Sequence, residues 1–334
     1  MLTSFIFGSL LLDQDKTQIG KIKRPVNPIV ITPQEPTIIV LDEYVFKTNP
    51  DNPIASSFSL DTFSSFNDAK VVREATYGNQ ALAADRKGNV YGVNFAGPSQ
   101  GAYLYTPSFH SPDDEPKWYG GLHHPMGIAC DRAGKIYIVD ADLGEVIRVD
   151  DRTGKGAVRF GSPGSGIGQF KNPCGIAVGP TGQVYIADTG NNRIVRIDDF
   201  NGNGWTTYNG LQYAGQGRQV WFVRDIAVDS KNRLYHCRSD TGCVIRVDDM
   251  KGSNMASFGG PASGIGNGHT TISANGIAID TFDQIFVSDQ LGQRIVRIDD
   301  FDKQTFRYLR PADNRPFKPS RLVAYVSPTV KLVH

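Results

Sequence analysis

Short apolar runs, many of them β-branched or aromatic, alternate along the chain with turns rich in Gly, Asn and Asp. In the clearest stretch, Ile176-Ala177-Val178 and Val184-Tyr185-Ile186 flank the turn Gly179-Pro180-Thr181-Gly182. Ile194-Val195-Arg196-Ile197 follows the turn Gly190-Asn191-Asn192, and Trp205-Thr206-Thr207-Tyr208 runs into Gly210. Runs of this length bounded by turn formers predict strands. No segment sustains the three-and-four apolar spacing of an amphipathic helix. The fold class is therefore predicted to be all-β.

The pattern repeats. Copies begin at Asn79, Pro125, Pro173, Val223, Ala274 and Pro319, so successive starts lie 46, 48, 50, 51 and 45 residues apart. Four short strands in a repeat of about 45 residues describe a propeller blade. Six copies predict a six-bladed β-propeller of four-stranded blades over residues 37–334. The last copy ends at His334, aligned with Asp188, and would supply only two inner strands. Thr37-Ile38-Ile39-Val40-Leu41-Asp42-Glu43 aligns with Arg193–Asp199 and is predicted to be the third strand of that blade, with part of 54–66 as the fourth. Such a blade closes the ring two strands against two and leaves no open edge.

The series Phe-Gly-Ser…Gly-Gln-Phe before Pro173, then GIAV, VYIAD, GNNRI and VRIDD, resembles the NHL-repeat family of β-propellers. Features of that kind run through residues 79–310 and are faint in the terminal blade. The copy at Val223 departs from them, with Arg224 and Asp225 replacing Pro-x-Gly and Arg238 replacing the strand-end Asp. The resemblance implies a propeller. It leaves function open, because the family holds scaffolds, RNA binders, sensors and a few enzymes.

Charge narrows the choice. Thirty-five Lys+Arg against 34 Asp+Glu give a net charge of +1, no electrostatic footprint for nucleic acid. Arg148, Arg196, Arg246 and Arg297 recur once per repeat just before an Asp-Asp pair, which reads as a scaffold ion pair. The longest apolar stretch, Phe5 to Leu12, is too short to span a membrane. The chain start lacks a basic n-region and a small-residue cleavage site, so no secretory signal is read and a cytoplasmic setting is weakly expected. Cys237 and Cys243 flank a tight turn and could face each other. Four cysteines without Cys-x-x-Cys spacing give no zinc signature.

Residues 1–36 form a separate expectation. Pro25, Pro28, Pro33 and Pro36 predict an extended arm, tipped by Phe5-Ile6-Phe7 and Leu10-Leu11-Leu12. Those side chains need cover, either on this propeller or on a neighbouring subunit. Tyr213, Trp221, Phe222 and Arg224, at the start of the deviant blade, have the aromatic and Arg composition of a binding hot spot.

Register places Gln80, Met126, Cys174, Arg224, Asn275 and Ser320 around the mouth of a central funnel. Asn94, Asp140, Asp188, Arg238, Asp289 and His334 form a second ring. The resembled family includes amidating lyases that hold a metal with funnel histidines; Met126, Cys174 and Asn275 stand at those positions here. His123, His124, His269 and His334 are loop histidines, and His236 falls within a strand. The Asp188–Arg193 spacing predicts a carboxylate that caps its own turn. The Gly-rich loops at 161–168 and 259–266 carry no lysine and precede a strand rather than a helix, which argues against a phosphate cradle. The expectation is a non-catalytic interaction scaffold or assembly subunit with a protein partner and no cofactor or metal. The alternative is a lyase or hydrolase binding a small molecule in the funnel, with Arg224 or Arg238 holding an anion and Asp140 or Asp289 as base.

Overall fold

The computed structural model describes residues 37–46, 55–65, 68–76, 79–85, 89–94, 101–105, 119, 121–209, 223–238, 242–259, 274–280, 282–289, 292–309 and 319–325. For residues before Ala81 and after Tyr308, this covers the backbone alone. Every named strand lies in an antiparallel sheet. The first is built from β1 (Thr37–Phe46), β2 (Ala55–Ser65) and β3 (Asp68–Thr76), joined by β23 (Pro319–Tyr325) in the order β23-β1-β2-β3. Next come β4 (Asn79–Ala84), β5 (Val90–Asn94) and β6 (Gly101–Tyr105). Three regular blades follow: β7 (Pro125–Cys130) to β10 (Val158–Phe160), β11 (Ile176–Val178) to β14 (Thr206–Tyr208), and β15 (Val223–Val228) to β18 (Ala256–Phe258). The last runs from β19 (Ala274–Ile279) through β20 (Ile285–Asp289) and β21 (Arg294–Asp300) to β22 (Thr305–Leu309). The innermost strands β4, β7, β11, β15, β19 and β23 lie side by side in that cyclic order, which makes the arrangement a β-propeller.

Two expectations are corrected. The prediction of six four-stranded blades fails: five sheets have four strands, and β4-β5-β6 has three. Outside β6, the described residues supply only the isolated bridge Ala102↔Tyr119. The intervening sequence holds Pro107, Pro112 and Pro116, each without the N–H a ladder needs. Closure is also not two strands against two. β1 pairs directly with β23, Ile38 opposite Ala324 and Val40 opposite Leu322, so three strands from the front of the chain meet one from its end. The reason is strand length: β2 and β3, of 11 and 9 residues, fill the two outer places.

The blades pack through apolar faces. Between the β7 and β11 blades, Tyr137, Val139 and Val146 meet Phe170, Ile176, Ile186 and Val195. Each such side chain removed from water contributes about 1.5–3 kcal/mol. The recurring arginines are part of this packing. Arg148 stacks 5.2 Å from the ring of Phe200 and Arg246 5.0 Å from that of Phe301, each reaching the next blade. Arg196 and Arg297 pair instead with Asp198 at 2.6 Å and Asp299 at 2.8 Å.

A second device closes the turn after the innermost strand. Asp131 accepts the backbone N–H groups of Ala133 and Lys135, while its other oxygen takes the Tyr137 hydroxyl at 3.0 Å. Asp229 with Tyr235 (3.1 Å) and Asp85 with Tyr91 (3.2 Å) do the same. In the β19 blade the tyrosine is replaced by Phe286, and Asp280 Oδ2 is buried without a hydrogen-bond partner among the described residues.

Candidate interaction face

One face carries the outer-to-inner connections and the turns between second and third strands. Its best-defined feature is the loop 161–171. Asp188, at the end of the second strand of the β11 blade, Val184–Asp188, is fully buried. One of its oxygens accepts Lys171 N–H at 2.7 Å; the other accepts Asn191 Nδ2 and Arg193 Nε, both at 2.8 Å. Burial pushes this carboxyl above its ordinary pKa, while those three donors pull it down. The Arg193 guanidinium then donates to the carbonyls of Ser165 (3.0 Å), Gly166 (3.1 Å) and Gln169 (2.9 Å), and lies 5.5 Å from the Trp205 ring centroid. Asn191 Nδ2 also donates to the Gly164 carbonyl at 2.8 Å, and Gly166 N–H donates to Gln169 Oε1 at 2.9 Å. Gly161 has φ +112°, and a Cβ there would stand 2.7 Å from the Gly144 carbonyl oxygen, so only glycine fits. The loop is clasped, and Ile167 projects from its tip 82% exposed.

The predicted turn-capping role of Asp188 is therefore present, and Asp140 and Asp289 are committed in the same way. Asp140 accepts the backbone N–H groups of His123 (2.6 Å), His124 (3.1 Å) and Leu143 (3.2 Å). Asp289 accepts Arg294 Nε at 2.8 Å and Gly292 N–H at 2.9 Å. Of the predicted second ring, Asn94, Asp140, Asp188 and Asp289 are buried within the blades. Arg238 is half-buried, and His334 lies outside the described residues.

The central channel is a cavity of ≈ 180 Å³, walled by the innermost strands, with Met126, Ile128, Ile176, Val228 and Ile277 among its lining and one carboxylate, Asp225. Asp225 takes the place of the glycine at 127, where a Cβ would approach Cys174 O to 2.4 Å. Its two oxygens accept Ile226 N–H at 3.1 Å and, in the next blade, Ile277 N–H at 3.0 Å. Met126, Cys174 and Asn275 are half-buried. The side chains of Gln80, Arg224 and Ser320 lie outside the described residues.

Of the proposed contact residues, Phe5, Phe7, Tyr213, Trp221 and Phe222 fall outside the described residues, and for Arg224 only the backbone, within β15, is described. His269 and His334 also lie outside. His123 is exposed, and His124 Nδ1 is 3.2 Å from Asp142. His236 is a core side chain, 5.9 Å from the Tyr208 ring. Among the described residues no three His, Cys, Asp or Glu side chains converge as a metal site, and no helix is long and apolar enough to cross a membrane. Cys237 and Cys243 are not joined by a disulfide. Register explains why they do not face each other: Cys237 is opposite Val244 and Cys243 opposite Arg238, which puts the two thiols on opposite faces of the sheet. Ile167 went unnoticed in the sequence because a single apolar residue between two glycines reads as linker.

Solved structures share this architecture. A chain of a nidogen/laminin complex superposes with a TM-score of 0.64 at 13% identity, covering 87% of this chain and 99% of that one. A protein of unknown function from Bacteroides caccae gives 0.56 at 10% identity, covering 87% and 98%. Virginiamycin B lyase from Staphylococcus aureus gives 0.46 at 17% identity, covering 73% of each chain. At these identities the likeness concerns the fold, that of a β-propeller. Residues 170–197 match the NHL repeat model, and the sheets around them are arranged as a β-propeller, which together support an NHL-repeat β-propeller. No curated protein matches.

Proposed function

We propose that the protein is a non-catalytic NHL-type propeller, a protein-interaction scaffold or a subunit of a larger assembly. Residues 37–334 form the platform and residues 1–36 an arm that docks through Phe5 and Phe7. The contacts on the propeller are the loops of the connection face, with Tyr213, Trp221, Phe222 and Arg224 among them. The observation that carries this reading is the clasped loop 161–171. Arg193 donates to three of its carbonyls and holds an exposed isoleucine in a fixed position. A contact ordered before binding loses less entropy when a partner arrives. The carboxylates offered for catalysis, Asp140 and Asp289, are buried and already serve turns, which disfavours the lyase or hydrolase alternative. The use of a similar fold in a nidogen/laminin complex accords with the reading.

The test is partner retention by tagged full-length protein, compared with its Arg224→Ala, Tyr213→Ala and Phe5→Asp/Phe7→Asp variants. Loss of a stoichiometric partner at unchanged melting temperature supports the proposal. Retention by every variant rejects these contacts.

A further inference from the structure

The loop that carries Ile167 also lines an open groove of ≈ 530 Å³ through Pro163, Gly164, Ser165, Phe170 and Lys171. Asp142 and Asn172 are also among its lining residues. The groove sits between the β7 and β11 blades, and its floor is fixed by the clasp. Ile167 is the most exposed large apolar side chain among the described residues. Lys171 is exposed and has no ion-pair partner among those residues. The Asp142 side chain is 60% exposed, and the His124 imidazole Nδ1 lies 3.2 Å from it.

We infer that this patch is where two copies of the chain associate about a two-fold axis, an inference that rests on the assembly reading above. A two-fold contact buries the same patch on both partners, so the patch must complement itself. This one does so in shape and in charge. It carries an apolar knob beside a hollow partly walled by Pro163 and Phe170, and a cation beside an anion. Ile167 of each copy enters the other's groove, and Lys171 meets the other copy's Asp142. Such a pair fixes orientation more than strength. The isoleucine supplies most of the affinity because it leaves water on binding.

Sedimentation of the full chain over a range of concentrations tests this. The expected result is a reversible rise from 36.5 kDa towards twice that mass. Ile167→Glu should weaken association by about tenfold or more. Lys171→Glu and Asp142→Lys should each weaken it, and the double reversal Lys171→Glu/Asp142→Lys should restore it. Melting temperatures should stay unchanged, because all three side chains are largely solvent-facing. A chain that remains at 36.5 kDa throughout, indifference to Ile167→Glu, or no recovery in the double reversal overturns the inference. Continued loss of a different partner in Arg224→Ala would leave the platform reading standing and remove only the two-fold contact.

Discussion

Arg193 Nε lies 2.8 Å from Asp188 Oδ2, and this one pair joins the end of a β-strand to the loop that precedes its blade. The aspartate is fully buried and the arginine side chain 14% exposed, so the pair holds its loop in a medium where an unpaired charge is costly.

Removing the arginine should therefore do more than free the loop. Arg193→Ala leaves Asp188 buried without its charged partner, held only by Lys171 N–H and Asn191 Nδ2, and should cost about 3–5 kcal/mol. Arg193→Lys keeps the charge but cannot reach three carbonyls at once, so its loss should be smaller. Urea unfolding gives the stabilities, and amide exchange at 164–170 reports the loop. Unchanged protection in Arg193→Lys would show that the carbonyl bonds are dispensable.

The buried Asp280 carboxyl offers a gain. Phe286 stands where three sibling blades place a tyrosine whose hydroxyl closes on the aspartate at 3.0–3.2 Å. Phe286→Tyr should supply the missing donor to Oδ2 and stabilise the protein by about 1 kcal/mol at neutral pH. Burial raises the Asp280 pKa. A raised folded-state pKa favours folding when the group is protonated, and that advantage fades as pH rises through the folded value. The difference in melting temperature between Phe286→Tyr and the parent should thus be largest near pH 7 and shrink towards pH 4. A difference that grows in acid would refute this assignment.

The innermost strands approach closely enough to discriminate side chains. Gly127→Ala drives a Cβ to within 2.4 Å of Cys174 O and should cost about 1–3 kcal/mol. Asp225→Ala, at the matching position, should also destabilise, by about 1–3 kcal/mol, because Ile277 N–H loses its acceptor. Thermal melts of both variants would check this, and an unaffected Asp225→Ala would mean that another acceptor replaces the carboxylate.

Much of the blade architecture was legible because it is local. The GNNRI segment and its preceding aspartate announce a capped turn, and the Arg before each Asp-Asp pair announces a structural role. That both chain ends build the closing blade was legible from the match of 37–43 to a blade strand, but its split was not, because nothing in either segment states that one strand rather than two comes from the end. Whether Cys237 and Cys243 face each other was left open by the sequence, because it turns on one residue of register, which in a strand reverses the face. Ile167 becomes visible as a candidate only once Arg193 is seen fastening the loop on which it sits.

The most direct test of the platform account is amine cross-linking of the full-length protein in its native extract, followed by mapping of the intermolecular links. Lys171 lies on the connection face, whereas Lys135, Lys251 and Lys303 lie at turns of the opposite face. The account predicts that links to partners concentrate on Lys171 and on the arm lysines Lys16, Lys21 and Lys23. Links confined to Lys135, Lys251 and Lys303, or none at all, would contradict it.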